Sequence, residues 1–445
     1  MFFDRGPQRD PSRRLYIPNV DNGLELSDTV NGATGIKARQ VQTRFIHYCS
    51  EGDGLVVSKK IPVEYLQYVK DLYGFKNLPH IFVAPNRNIN NPDVPFSLLH
   101  DILGNERLLM QFREIGSQNK WEITPFISHQ WAHRLGKRVG LSVHGVSLEK
   151  VQAGHVLHFN DKVNFMRDCL GMHIPIPPGV IAHGWGDILS KAAERMEQYG
   201  DIILRIGRSG GGFGLCIIRH EDLIRSQMTV QQYIRDTIPK SSRASWNEQE
   251  VLVEHYLPKK CSPSTLVYIG ESEIIRVIDT NQILDDQDHF LGACIPSGID
   301  PIKLEILWLY TESSARHVQQ NGGRGFYGID WGILHDDSVV AFEPNYRFTG
   351  NWHIMCIRRK LNVGDYAVSM HKDKMLVSRR VTFSSLKKVF KDKNLLWDEK
   401  RGDGVVITIP PDGEIFGFVA IAPTKRRAQQ LFDMVEQYAK DSFRK

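Results

Sequence analysis

The 445-residue chain has no apolar run approaching the roughly 18 residues that a membrane-spanning helix needs, which excludes an integral helical membrane protein. Its opening stretch, MFFDRGPQRDPSRR, carries acids, arginines and two prolines and lacks the apolar core of a secretory signal. The six cysteines (Cys49, Cys169, Cys216, Cys261, Cys294 and Cys356) form no C-x-x-C pair, which argues against a zinc ribbon or a thioredoxin-like site. Their wide spacing fits free thiols, and a cytoplasmic location is the expectation. There is no G-x-G-x-x-G, no G-K-[ST], no internal repeat and no low-complexity tract. A net charge of +5 is a small excess for a chain with 56 basic and 51 acidic residues, so nucleic acid is not indicated as a partner. What is present is ordinary globular composition, 41% hydrophobic and 24% charged, which excludes a wholly disordered chain. The length suggests about three domains at roughly 150 residues each.

Residues 1–40 mix Pro, Gly, Asn and charge and read as a loose N-terminal arm. Over 41–145, strand-like runs (GLVVS, HIFVAP, WEITPFISH) alternate with helical ones (VEYLQYVKDLYG and the stretch 95–115), the pattern of a parallel α/β layer. From 146 to 365 the texture changes. A helix opens near Asp161, another spans ILSKAAERMEQYG, and DIILRIG, the Gly-rich SGGGFG and LCIIR read as strand, loop and strand. A further helix covers 305–322, and YGIDWGILHDDSVVAFEPNYRFTG reads as a hairpin turning at HDD. Residues 366–445 form a small α/β block closing on an amphipathic helix.

Several residues carry chemistry. Ser209, Gly210, Gly211, Gly212 and Gly214 lie between two apolar strands, where glycines free the backbone to aim N–H groups at a phosphate. The same run also suits a plain hairpin. Arg205, on the incoming strand, suits an anion at that loop, or an ordinary ion pair. Lys162, at a helix start, suits a phosphate as a point charge, or solvent. Glu254 in VLVEHYL suits an adenine amino group, with the backbone of 255–257, including Tyr256 and Leu257, on the ring edge; an edge-strand glutamate is the plain alternative. The densest constellation is the hairpin. The strand period of two puts Glu343 and Asn345 on one face, and a turn at HDD brings Asp330 beside them. Two carboxylates and an amide oxygen are hard ligands of the kind Mg²⁺ prefers, with Mn²⁺ as an alternative ion. Arg347 continues that face as a fork for a phosphate or a developing oxyanion. His129 and His133, spaced i, i+4, lack a third ligand nearby and read as structural.

The order of Asn160-Asp161-Lys162, the G-x-P-x-P stretch after it, the strand–Gly loop–strand, Glu254-His255-Tyr256-Leu257 and Glu343-Pro344-Asn345-Tyr346-Arg347 resembles the ATP-grasp superfamily. The spacing of Asp330, Glu343 and Asn345 is similar to that of its D-alanine–D-alanine ligase branch. A further resemblance, looser outside the core, is to pheganomycin-type peptide ligases of natural-product assembly. It rests on Thr280–Leu284, on Gly292–Pro296 and on Gly402–Val406 before an Ala-containing last helix. The resemblance implies an α/β (α+β) chain: a pre-ATP-grasp α/β domain, an ATP-grasp core and a small C-terminal α/β domain. It implies ATP with one or two Mg²⁺, with Asp330, Glu343 and Asn345 as metal ligands and Arg347 as catalytic arginine. Arg205 would share catalysis and, with Lys162, hold ATP phosphates under the Gly loop. Small-molecule carboxylate and amine substrates, amino-acid-like or peptide-like, would be joined through an acyl phosphate, with a homodimer as the expected assembly. Two departures stand out: the family usually has lysine at Arg205, and a proline at Tyr346. A different acceptor, as in carboxylase-like or thioester-forming relatives, and a nucleotide-binding protein without catalysis are the competing readings.

Overall fold

The computed structural model describes residues 13–20, 39–85, 97–118, 121–209, 214–238, 240, 243–365, 367–411 and 413–444. Strands β1 (Arg13–Ile17), β2 (Gly54–Val57), β3 (His80–Val83), β4 (Trp121–Pro125) and β5 (Ser142–Val143) form an all-parallel sheet in the order β3-β2-β1-β4-β5. Every residue of β2 is buried, as expected when helices cover both faces of a parallel sheet. The arm expected over 1–40 needs correction here, because β1 is the middle strand of this sheet. Its sequence, RRLYI, is five residues long and begins with two arginines, so no alternation marks it. Its place is fixed by pairing, with Leu15 beside Gly54 on one side and Ile123 on the other. The stretch expected as one helix over 95–115 is two, Leu98–Leu103 and Glu106–Gln118, separated at Gly104 and Asn105. The Asn105 side chain accepts from the Leu108 N–H at the start of the second.

The second sheet is antiparallel, β6 (Gly179–His183), β7 (Ile202–Ile206), β8 (Leu215–Ile218) and β9 (Glu250–His255), in the order β6-β9-β7-β8. The helix Gly184–Tyr199 packs Ile188, Leu189, Ala192 and Met196 onto it, burying Ile202, Leu204, Val251 and Val253. The third sheet holds β10 (Lys259–Cys261), β11 (Pro263–Ile269), β12 (Ile274–Leu284), β13 (Phe290–Ile295), β14 (Gly325–Leu334), β15 (Val339–Asn345), β16 (Val368–Leu376), β17 (Gly404–Ile409) and β18 (Ile415–Ala422). Its order is β10-β14-β11-β12-β13-β16-β18-β17, with β15 also on β14.

The C-terminal block, expected as a separate small domain over 366–445, shares this sheet instead of having its own. β13 pairs antiparallel with β16 from Gly292↔Lys372 to Ile295↔Ser369, and one apolar core runs through both parts. Gly292 permits the junction: a Cβ there would lie 1.8 Å from the carbonyl oxygen of His371. No helix among the described residues is long and apolar enough to cross a membrane.

Candidate active site

The second and third sheets face one another across an open cleft of about 620 Å³. Its walls include Arg205, Tyr256, Leu257, Lys259, Asp330 and Glu343. The third-sheet side is the expected hairpin. β14 and β15 pair antiparallel with Asp330 opposite Glu343 and Gly328 opposite Asn345. The turn at HDD is as expected, but regular pairing outward from Trp331↔Ala341 would set Phe342 opposite Asp330; a register shift between Asp330 and Trp331 brings Glu343 there instead, and with it the three oxygen-bearing residues together. The Asp330 carboxyl accepts from Ser264, Gln282 and Asn345. Ser264 and Gln282, on β11 and β12, are residues that sequence reasoning missed. Their signal was weak, because β11 also carries Thr265 and β12 also carries Arg276, Asp279, Thr280 and Asn281, and nothing in the sequence singles out these two.

The two carboxyls are driven in opposite directions. Burial and the neighbouring Glu343 charge push Asp330 up to about 6. Burial pushes Glu343 up as well, but Lys162, Arg347 and Arg205 outweigh it and hold that carboxyl below the ordinary glutamate value. The Lys162 ammonium stands 3.3 Å from Glu343 Oε2.

Lys162 is positioned by its neighbours. Asp161 caps the helix Lys162–Gly171, its carboxylate accepting from the N–H groups of Val163 and Asn164. The Lys162 N–H donates to the Gly207 carbonyl at 2.9 Å, tying the helix start to the strand end that leads into the Gly loop. The ammonium then reaches Ser209, at 2.6 Å from its carbonyl and 3.1 Å from its hydroxyl. Gly214 closes the loop on the far side at φ +70°. Gly210, Gly211 and Gly212 lie outside the described residues.

Arg205 and Glu254 pair with each other. Arg205 donates from Nε at 2.7 Å and from Nη2 at 2.9 Å to the two oxygens of Glu254, and from Nη1 at 2.6 Å to the Phe342 carbonyl. Both side chains are buried. β7 and β9 pair with Ile203 opposite Glu254, so Arg205 and Glu254 are diagonal neighbours on one face, a relation that register sets and separation in sequence conceals. The adenine-acceptor reading of Glu254 is therefore corrected: its carboxylate is engaged by Arg205 and does not line the cleft. Tyr256 and Leu257 do line it. Burial lowers the guanidinium pKa, the Glu254 carboxylate outweighs it, and the arginine stays charged.

Asn160 joins the hairpin to the helix. Its Oδ1 accepts from the Tyr346 N–H at 2.9 Å and from Arg347 Nη1 at 3.4 Å. This gives Asn160 a positioning part that sequence reasoning did not assign, although the residue stands beside the candidate Lys162. His129 sits before the helix Gln130–Val139 and accepts from the Trp131 N–H, while the His133 ring bonds the Val146 carbonyl, so the pair is structural. A second cavity, of about 850 Å³, lies where the parallel-sheet domain meets the third sheet and includes Arg14, Tyr16, Tyr48, Phe348, Arg359 and Lys360. Phe342 and Glu343 are in the cleft and Phe348 in the cavity, so the segment bearing Arg347 runs from one to the other.

With this geometry in view, the comparisons are specific. Residues 42–141 match the family model of the pre ATP-grasp domain. The whole fold is similar to biotin carboxylase from Campylobacter jejuni, at 13% identity and a TM-score of 0.58, over 97% of this chain and 91% of that one. It is also similar to N5-carboxyaminoimidazole synthetase from Staphylococcus aureus, at 12% identity and a TM-score of 0.52, over 99% and 100%. The chain has an ATP-grasp fold. A third ATP-grasp structure, N5-carboxyaminoimidazole synthase from Aspergillus clavatus in complex with ADP and 5-aminoimidazole ribonucleotide, is 12% identical with a TM-score of 0.52, over 96% and 99%. No curated protein matches the sequence.

Proposed function

We propose that the chain is an ATP-dependent carboxylate–amine ligase forming an amide or peptide bond. The observation that carries this reading is the meeting at one cleft of Arg205 from one side and Asp330 and Glu343 from the other, with Lys162 3.3 Å from Glu343 and Asn345 beside it on the same hairpin. The donor set fits a divalent cation: Asp330 and Glu343 are paired in register, and burial plus mutual repulsion raise the Asp330 pKa, a cost that a bound cation relieves. In the proposed reaction Mg²⁺ at these oxygens neutralises phosphate charge. Lys162 and the Arg205 N–H groups not engaged by Glu254 and Phe342 hold the phosphates, and Ser209, Gly210, Gly211, Gly212 and Gly214 cover them. Tyr256 and Leu257 border the base.

A substrate carboxylate oxygen attacks the γ-phosphorus as the bond to ADP breaks, giving an acyl phosphate. The amine nitrogen then attacks the acyl carbon, phosphate leaves, and the nitrogen loses its proton. Arg347, held by Asn160, stabilises the oxyanion of the second step. The cationic and aromatic lining of the second cavity fits a carboxylate-bearing substrate reached from the Arg347 segment. The neighbours named for biotin carboxylase and carboxyaminoimidazole synthesis keep a carboxylase-type acceptor as the second reading, favoured by a likeness that extends over almost the whole chain. A peptide ligase of natural-product assembly is the finer form of the first.

The test is a thermal melt in Mg-ATP, in ATP with chelator, and in Mg-ATP with Glu343→Gln. Ligand at about 100 times its dissociation constant adds roughly 2.7 kcal/mol to stability. A metal-dependent shift lost in Glu343→Gln supports the site, and ADP release with paired carboxylates and amines then identifies the acceptor. No shift in millimolar Mg-ATP overturns the reading.

A further inference from the structure

A second polar cluster lies away from the cleft and is sealed from solvent. His353 stands in the first turn of the helix Trp352–Lys360, and His371 and Asp373 share one face of β16. His353 and His371 are fully buried and Asp373 is 4% exposed. One nitrogen of each ring and one Asp373 oxygen gather within 4.8 Å of one another. His353 Nε2 lies 3.3 Å and His371 Nδ1 3.5 Å from Asp373 Oδ1. Neither contact has hydrogen-bond geometry, and all three atoms are buried without a hydrogen-bond partner.

The surroundings decide what the gathered atoms are. His371 Nε2 is 2.8 Å from Asn351 Oδ1, and the Asn351 amide nitrogen donates to Thr280 Oγ1 at 3.1 Å. The amide oxygen therefore accepts from Nε2–H, and the His371 Nδ1 faces the Asp373 Oδ1 at 3.5 Å with neither atom hydrogen-bonded. A cation held between them would give both orphaned atoms a partner. Arg44 does not lie between them, because it holds the other oxygen, Asp373 Oδ2. A ring whose second nitrogen donates to an oxygen, and a carboxylate held from behind, are the outer supports that metal ligands have. The distances agree as well: atoms about 2.0–2.1 Å from one ion at the tetrahedral angle lie roughly 3.4 Å apart.

We propose that His353, His371 and Asp373 bind a divalent transition-metal ion, with zinc the best chemical fit. Two imidazoles and one carboxylate suit zinc, and leave a fourth position for water or hydroxide. Hydroxide also offsets the excess positive charge that Arg44 and the ion create together. The site is structural: it ties the helix Trp352–Lys360 to β16, and through Arg44 to the parallel-sheet domain. It is independent of the cleft and of any nucleotide.

The experiment uses the full chain purified without a metal-affinity step from zinc-supplemented medium, with metal measured by mass spectrometry. The expected result is close to one zinc per chain, falling to near zero in His353→Gln with an unchanged circular dichroism spectrum. Because that variant may fail to fold, the wild-type chain is also treated with dipicolinate. Its melting temperature should fall by several degrees and return on adding zinc chloride. Cobalt in place of zinc should give the visible absorption of a four- or five-coordinate N/O site. A wild-type chain free of metal, with a melting temperature unmoved by chelator or zinc, overturns the proposal.

Discussion

The two charged clusters of this chain invert each other. Around the cleft, Arg205, Asp330 and Glu343 border open space with the buried Lys162 behind Glu343, and Asp330 and Glu343 are only part-buried. Around Asp373, every charged or titratable group is enclosed, and Arg44 reaches it from 329 residues earlier in the chain. The first arrangement leaves its charges available to a ligand. The second uses its charges to hold three parts of the fold together. Charge density alone therefore does not mark a reaction site; access to solvent separates the two.

The largest expected effect breaks this comparison at its sealed end. In the metal-free chain, Arg44→Met removes the buried partner of the Asp373 carboxylate and should cost about 3–5 kcal/mol in urea unfolding. Lys162→Met, at the open end, should cost much less stability while removing most of the Mg-ATP melting shift. If both variants lose stability equally, the distinction fails.

A second prediction concerns pH at the open end. The folded pKa of Asp330 stands near 6, above its unfolded value near 3.8, so the folded state binds the extra proton between those values. Stability attributable to this group is greatest below pH 4 and falls as pH rises toward 6. Glu343 has the opposite sign: its stabilising contribution is present above its unfolded pKa and is lost as the solution is acidified through its lowered folded value. In apo-protein melts across pH 4–7, Asp330→Asn should remove the decline, and saturating Mg²⁺ should remove it in the wild type. A decline that persists in Asp330→Asn would assign it to another group.

The smallest effect calibrates the scale. Arg167 makes two hydrogen bonds to Glu250, at 2.7 and 3.0 Å, in a pair that is 46% and 33% exposed. Exposed pairs of this kind contribute about 0.2–1 kcal/mol, so Arg167→Ala should barely move the urea midpoint. A loss comparable to that of Arg44→Met would show that solvent access is not the governing variable.

Legibility in the sequence follows the same division. The hairpin bearing Asp330, Glu343 and Asn345 could be read because alternation and a turn are local signals, but the register shift that sets Asp330 opposite Glu343 left no mark in the sequence. Arg205 and Glu254 were found as charges in apolar strands, but their mutual pairing depends on how β7 meets β9, and 49 residues separate them. The Asp373 cluster left only the short signal of His371 and Asp373 two apart on one strand, since its other members come from a distant helix and a distant domain. β1 escaped notice because five residues with two leading arginines have no pattern of their own. The division of the C-terminal block from the core was overdrawn because strand pairing across β13 and β16 is invisible to composition.

The central place of β1 sets an order of events during synthesis. β1 must wait for β4, whose Trp121–Pro125 pairs with Arg13–Ile17 more than a hundred residues later. Until that segment has been made, one flank of β1 lacks its partner and the sheet cannot close. Trimming the chain past residue 20 would thus remove the spine of a sheet, not an ornament at its edge, and leave β2 and β4 with facing, unmatched backbones.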